Sequence, residues 1–253
     1  MRKVTLVERL SDLGETFTID DIKKKSNMSD SVLWVILHRM ESYGWIERIE
    51  KGKYMRIPVE AEKGKYTLDS FIIGSMLVEP YCISYWSALH HYGFTEQIPL
   101  TVFIQTTARK KKQNIEIFGI IYKIIRLMPA KFFGLRKEWF NNEPIMITDK
   151  EKTIIDCLDK PQYCGGMIEV IKGIKLSEYD KYKLVEYATN INNTGVIRRL
   201  GFLSDYYGLD IELPHINKNI RNYLRLDPTM PSEGPKSSKW RLVVNIKDLE
   251  NIE

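Results

Sequence analysis

At 253 residues with 43% hydrophobic side chains, the chain is long enough to bury one large or two small cores, and two are expected. Lys and Arg number 38 against 33 Asp and Glu, a formal charge of +5, so the surface is balanced with local basic patches and charge by itself does not identify an anionic partner. Cys82, Cys157 and Cys164 form no C-x-x-C pair, and no apolar run approaches the ~20 residues of a membrane helix. This excludes a disulfide framework, a zinc ribbon and a helical membrane protein, and reduced thiols in a soluble, unsecreted, cytoplasmic protein are expected.

In chain order, Leu6, Val7, Leu10 and Leu13 fall on one side of a helix that Gly14 ends. Phe17 anchors a small strand. Thr18-Ile19-Asp20-Asp21 has capping-box form, with Asp in place of Glu or Gln, and opens a short helix through Lys25. After a turn, Ser29 or Asp30 caps a third helix whose apolar face is Val32, Leu33, Ile36, Leu37 and Met40 and which Gly44 terminates. WIERI and YMRIP then flank Glu50-Lys51-Gly52-Lys53, a turn whose glycine permits positive φ.

Helix, helix, turn, helix and hairpin in this order read as a winged helix-turn-helix, whose third helix enters the major groove of double-stranded DNA while the wing reaches the backbone. Ser29, at the start of that helix, and Ser31, Trp34, Val35, His38 and Arg39, on its outer side, are the candidate contacts, with Lys51 and Lys53 at the wing tip suited to phosphate. Trp34 has two readings, a groove contact or a return onto the wing or the second domain. The polar, aperiodic stretch from Pro58 to Lys65 places the boundary, giving an α+β chain with a winged domain over residues 1–60 and a larger mixed α/β domain over 61–253.

In the second domain, Leu68 to Leu77 reads as a helix, and Ser84 caps another that carries Trp86, Ala88 and Leu89 and ends at Gly93. Leu100 to Thr106 is a buried strand running into Arg109-Lys110-Lys111-Lys112. Ile115 to Leu127 is a strand, or bent pair, interrupted at Gly119, and it is expected to form a hairpin with the preceding strand around the basic tip. That tip is either a solvated turn or a phosphate contact. Pro144 to Ile147 adds a strand, and Thr148-Asp149-Lys150-Glu151 is a capping box leading a helix that buries Ile154, Ile155 and Leu158. The cap and the helix dipole account for Asp149, Glu151, Lys152 and Asp156 without an acid/base set. Later helices bury Leu184, Ala188 and Ile191, then Val196, Leu200, Leu203 and Tyr207. Gly201 inside the last of them costs ~1 kcal/mol against alanine, so a close neighbour is expected there. Arg198 and Arg199 point away from its apolar face, either solvated or joined to Arg109, Lys110, Lys111 and Lys112 in one basic surface. A Pro/Gly/Ser loop from Pro228 to Pro235 precedes a final strand, Trp240 to Ile246.

Several pieces in order, YCISYWSALHHYGFTEQIP, FFG at Phe132 to Gly134, ITDKEKTIIDCLDKPQYCGG from Ile147 to Gly166, RRLGFL from Arg198 to Leu203, and LDP, PSEGP and SKWRLVVN near the end, resemble the AbiEi-type family of antitoxins and transcriptional regulators. Such proteins are found beside nucleotidyltransferase toxins in abortive-infection loci. The resemblance implies a winged domain that represses its own operon, and a C-terminal domain that counteracts a cognate nucleotidyltransferase toxin, in many members without a stable complex. Two other classes compete. A restriction-type nuclease needs Asp on one strand and Glu-x-Lys on the next to hold Mg²⁺, and the apolar strands carry no such pair. A winged-helix transcription factor with a ligand-binding or dimerisation domain differs from the first reading only in its genomic partner. No enzyme activity, cofactor or metal is expected.

Overall fold

The description of the structure, a computed structural model, covers residues 14–26, 28–58, 68–176, 178–217 and 219–252. The helix expected over Val4 to Leu13 and most of the polar linker lie outside these residues. The chain is α+β and divides into two compact units, Met1–Leu77 with Ile117–Gly119, and Val78–Glu116 with Ile120–Glu253. The division falls after Leu77, beyond the boundary expected at residue 60. Lys53 accounts for part of this: its Nζ donates to the carbonyls of Met76 and Leu77, tying that segment to the hairpin that turns at Gly52.

The first unit contains β1 (Thr16–Thr18), α1 (Ile19–Lys25), α2 (Asp30–Ser42), β2 (Ile46–Glu50), β3 (Lys53–Arg56) and α3 (Ser70–Ser75). The strands form an antiparallel sheet in the order β1-β3-β2. Asp completes the capping box as well as Glu would: the Thr18 hydroxyl accepts from Asp21 N–H at 3.2 Å, and the Asp21 carboxylate accepts from Thr18 N–H at 2.8 Å. Leu33, Leu37 and Met40 of α2 are buried against Phe17, Ile46 and Tyr54. Val32, expected on that face, is 49% exposed, because the i, i+4, i+7 row of Leu33 sets the stripe and Val32 falls on its flank.

The second unit holds a six-stranded mixed sheet in the order β6-β7-β5-β4-β9-β8, from β4 (Cys82–Ile83), β5 (Thr101–Thr106), β6 (Asn114–Ile117), β7 (Ile120–Arg126), β8 (Leu135–Phe140) and β9 (Glu143–Thr148). The expected hairpin around the basic run is not formed. β5 pairs with β7 in parallel, from Thr101 opposite Ile121 to Thr106 opposite Arg126. The tight turn is instead at Phe118-Gly119, both at positive φ, as a two-residue hairpin loop between β6 and β7 requires. A second such loop, Asn141-Asn142 at φ 46° and 68°, joins β8 to β9, a strand pair of which only the second member was expected.

The helices are α4 (Tyr85–His91), α5 (Lys150–Asp159), α6 (Met167–Leu176), α7 (Lys181–Asn190) and α8 (Thr194–Tyr207). Helix α5 is the hub, packed against α4, α6, α7 and α8, and eight of its ten residues are buried. Three of these are charged, Glu151, Lys152 and Asp156. Lys152 Nζ pairs with Asp156 one turn later, both almost fully buried. The other Asp156 oxygen accepts from Gln105 Nε2 of β5 at 2.7 Å, and the Phe133 ring lies 4.8 Å from the Lys152 ammonium. A small sheet follows, with β10 (Leu224–Arg225) parallel and β11 (Lys236–Ser237) antiparallel to β12 (Leu242–Val243), so the expected final strand shrinks to two residues.

Removing one member of a buried pair strands the other charge, whereas removing both leaves an apolar contact. Lys152→Met should therefore cost about 3–5 kcal/mol in urea unfolding of the full chain, and Lys152→Met/Asp156→Leu should recover part of that loss. Additive costs in the cycle would show that the two side chains do not act as a pair. Gly201 has the close neighbour its position requires, since a Cβ there would lie 2.2 Å from the Trp240 indole. Gly201→Ala should lower stability by about 1–3 kcal/mol through overpacking, against the ~1 kcal/mol that alanine contributes to a helix. An unchanged unfolding midpoint would show that the indole moves aside.

Candidate nucleic-acid interface

Helix α2 presents two opposite rows. With Leu33, Leu37 and Met40 turned inward, Ser31, Trp34, Val35 and His38 form an i, i+3, i+4, i+7 row that is exposed along its length, with Arg39 beside it. Trp34 at 43% and Val35 at 52% exposure are large apolar side chains with much of their surface open to solvent. Ser29 stands at the N-cap, but its hydroxyl meets Ser31 Oγ at 3.2 Å and makes no side-chain bond to the helix backbone. Lys23 of α1 pairs with Asp30 at 2.8 Å, joining the two helices at the entrance to this face.

The cations of the β2–β3 hairpin separate. Lys51 is exposed at the tip beside Gly52, whose φ of +79° makes the turn. Lys53 is half-buried, bonded to Met76 and Leu77 carbonyls and to Glu50 at 3.3 Å, so it fixes the hairpin and does not reach outward as expected. Sequence reasoning passed over Arg48, exposed on β2 with its Nε 3.4 Å from the Glu50 carbonyl; strict alternation would put it on the face of buried Ile46, and the pairing register with β3 shifts between Arg48 and Glu50.

The second set of basic candidates is split too. Arg109, Lys111 and Lys112 are exposed, and Lys110 is half-buried. Their segment crosses the end of β7 from β5 to β6, held by Ile124 N–H to Gln113 O at 2.7 Å and by Arg126 Nε to Thr107 O at 3.3 Å. Arg198 and Arg199 do not join them. Arg198 is 1% and Arg199 7% exposed. Arg198 donates to the carbonyls of Trp240 at 3.0 Å, Asn222 at 2.8 Å and Arg241, and Arg199 to those of Leu158 at 2.8 Å and Arg225 at 3.5 Å. The planar Arg198 guanidinium ties three carbonyls of the C-terminal segment together, a use that a helical wheel does not reveal.

The acids around α5 take structural positions. Asp149, not Thr148, is the N-cap and accepts from Lys152 N–H at 2.8 Å, while Thr148 bonds Thr153 at 2.7 Å. Lys183 lies 3.0 Å from both Asp149 and Glu151. Burial opposes the Lys183 charge, but the two carboxylates outweigh it and push its pKa up. Burial likewise works against ionised Glu151, and the Asp180 N–H together with Lys183 brings its pKa below the usual value. Burial pushes the Asp156 carboxyl up, with Lys152 and Gln105 opposing. All three cysteines are buried free thiols, and burial raises the pKa of each. Among the described residues no group of three or more His, Cys, Asp and Glu side chains is placed to hold a metal ion, and no helix is long and apolar enough to cross a membrane.

No family model matches the chain, and no curated protein matches it. Among solved structures, the crystal structure of the Rv2827c protein from Mycobacterium tuberculosis is similar, with a TM-score of 0.62 over 92% of this chain and 87% of that one, at 13% identity. At that identity the likeness is one of fold alone.

Proposed function

We propose that the chain is a DNA-binding transcriptional regulator whose first unit is a winged helix-turn-helix. The observation that carries this reading is the exposed row Ser31, Trp34, Val35, His38 and Arg39 on a helix anchored from behind, beside a hairpin with Lys51 at its tip. An uncovered tryptophan and valine next to cations match a surface that meets base edges and phosphates together. The resemblance to the AbiEi-type family extends the proposal: the protein represses its own operon and, as an antitoxin, counteracts a cognate nucleotidyltransferase toxin. The exposed cations Arg109, Lys111 and Lys112 add backbone contact from the second unit, since clustered cations without interleaved aromatics suit phosphate.

In this reading the protein acts by binding and carries out no chemistry. Catalysis is no part of the role proposed for Asp149, Glu151, Lys152 and Asp156, which are consumed by a cap, a surface ion-pair cluster and a buried pair.

Fluorescence anisotropy with duplex DNA from upstream of the chain's own gene tests the proposal. Lys51→Ala should flatten the slope of log K against log salt by roughly 0.9, and Arg39→Ala should cost ~1–3 kcal/mol. Lys53→Ala should leave the slope nearly unchanged, because that ammonium is bound within the wing. A Trp34→Ala/His38→Ala/Arg39→Ala triple variant that binds like wild type would remove α2 from the interface. Turnover of labelled DNA, tRNA or nucleotides with Mg²⁺ or Mn²⁺ that is lost on changing one acid would overturn the non-enzyme reading.

A further inference from the structure

The second unit has a cavity of about 370 Å³ whose polar lining consists of His215, Asn217, Ser238, Lys239 and Arg241, with Trp240 and Ile216 as its apolar wall. No carboxylate lines it. Beside it, Asp205 pairs with the lining Lys239 at 2.6 Å and accepts from Trp240 Nε1 at 2.6 Å. The Asn217 carbonyl oxygen is occupied by Asn219 N–H at 2.9 Å, which leaves its amide NH₂ to donate elsewhere.

The charge behind the cavity is not neutralised. Arg198 is buried under the Trp240-Arg241 backbone, and its three acceptors are carbonyl oxygens. No carboxylate among the described residues pairs with Arg198 or Arg241. Burial first, and then the Arg241 guanidinium, pull the Arg198 pKa below its ordinary value, a sign of two cations near one another. Arg241 donates to the Tyr223 hydroxyl at 3.1 Å, and the Lys236 ammonium lies over the Tyr223 ring at 5.2 Å. Of the cations Arg198, Lys236, Lys239 and Arg241, Lys239 pairs with Asp205 among the described residues. Carbonyl dipoles satisfy hydrogen-bond geometry but supply no counter-charge, so the field of a buried guanidinium opens toward the nearest polar space.

We propose that this cavity binds a phosphate-bearing ligand of mononucleotide size, either a free nucleotide or the terminal nucleotide of a nucleic-acid strand. Its volume falls in the range of small-molecule sites, roughly 300–1,000 Å³. Arg241 and Lys239 are the phosphate donors, with His215 and the Asn217 amide completing the ring, and the Trp240 and Ile216 wall takes the apolar body. The site lies outside the first unit and does not depend on DNA binding by α2.

Calorimetric titration of the full chain with a nucleoside 5′-monophosphate, the unphosphorylated nucleoside, and matched 5′-phosphorylated and 5′-hydroxyl oligonucleotides tests the assignment. The monophosphate or the phosphorylated oligonucleotide should bind at least about tenfold more tightly than its unphosphorylated counterpart, a ~1.4 kcal/mol difference. Binding of the monophosphate identifies a free nucleotide, and binding of the phosphorylated oligonucleotide alone identifies a strand end. Lys239→Gln and Arg241→Gln should each weaken binding about tenfold or more. Asp205→Asn should tighten it by freeing Lys239, a gain that a merely structural role for these residues does not produce. Affinity indifferent to the phosphate, no binding by any probe at millimolar concentration, or wild-type affinity in both Lys239→Gln and Arg241→Gln would overturn the proposal.

Discussion

A lysine and an aspartate four residues apart on a helix are ordinarily a solvated pair, but in α5 neither has access to water, and the second unit is built around that constraint. Desolvating both charges is costly, and neighbouring groups offset part of that cost. The second oxygen of Asp156 takes the Gln105 amide from the centre of the sheet, and the Lys152 ammonium lies near the face of Phe133. Gly134 follows at φ +67°, and a Cβ there would come within 2.7 Å of the Lys152 side chain. The chain must therefore cross α5 at a residue without a side chain, and Gly134 O then accepts from Asp149 N–H at 2.9 Å, at the N-cap of the same helix. One buried ion pair thus sets the distance between β5, the entry to β8 and the start of α5.

This explains what could and could not be read along the chain. The stripe of α2 was legible because one face is buried and the other is not, so a 3.6-residue period survives in Leu33, Leu37 and Met40. Helix α8 offers no such contrast. With Val196, Leu200 and Leu203 in one layer and Arg198, Arg199 and Ser204 also buried, it is enclosed on several sides, and polarity ceased to mark its outer face. Gly201 was the one visible sign, a residue whose helical cost made sense only against a close neighbour, here Trp240.

The sheet order was hidden for a different reason. Parallel pairing of β5 with β7 is non-local and leaves no mark in either strand, since both are buried on an apolar sheet. The local cue lay in the turns. Phe118-Gly119 and Asn141-Asn142 each supply two consecutive residues at positive φ, but a phenylalanine in that conformation is not a turn signal, and the break at Gly119 was read as a bend within a strand.

The two units differ in how they treat charge. In the first, cations are either exposed, as at Arg39 and Lys51, or tied down at once, as Lys53 is by Glu50 and two carbonyls. In the second, three cations among the described residues are buried, and each is handled differently. Lys152, a compact ammonium, has a carboxylate of its own. Arg199 has only carbonyl acceptors, yet Asp159 and Asp227 are close enough to oppose the fall in its pKa that burial causes. Arg198 has three carbonyl acceptors, no opposing acid, and another guanidinium nearby. Arginine can occupy such a site where lysine could not, because its charge is delocalised, weakly hydrated and keeps its proton when buried. A guanidinium held by carbonyls alone is satisfied in geometry but not in charge, so the irregular C-terminal segment is organised about a positive potential that the described residues do not cancel.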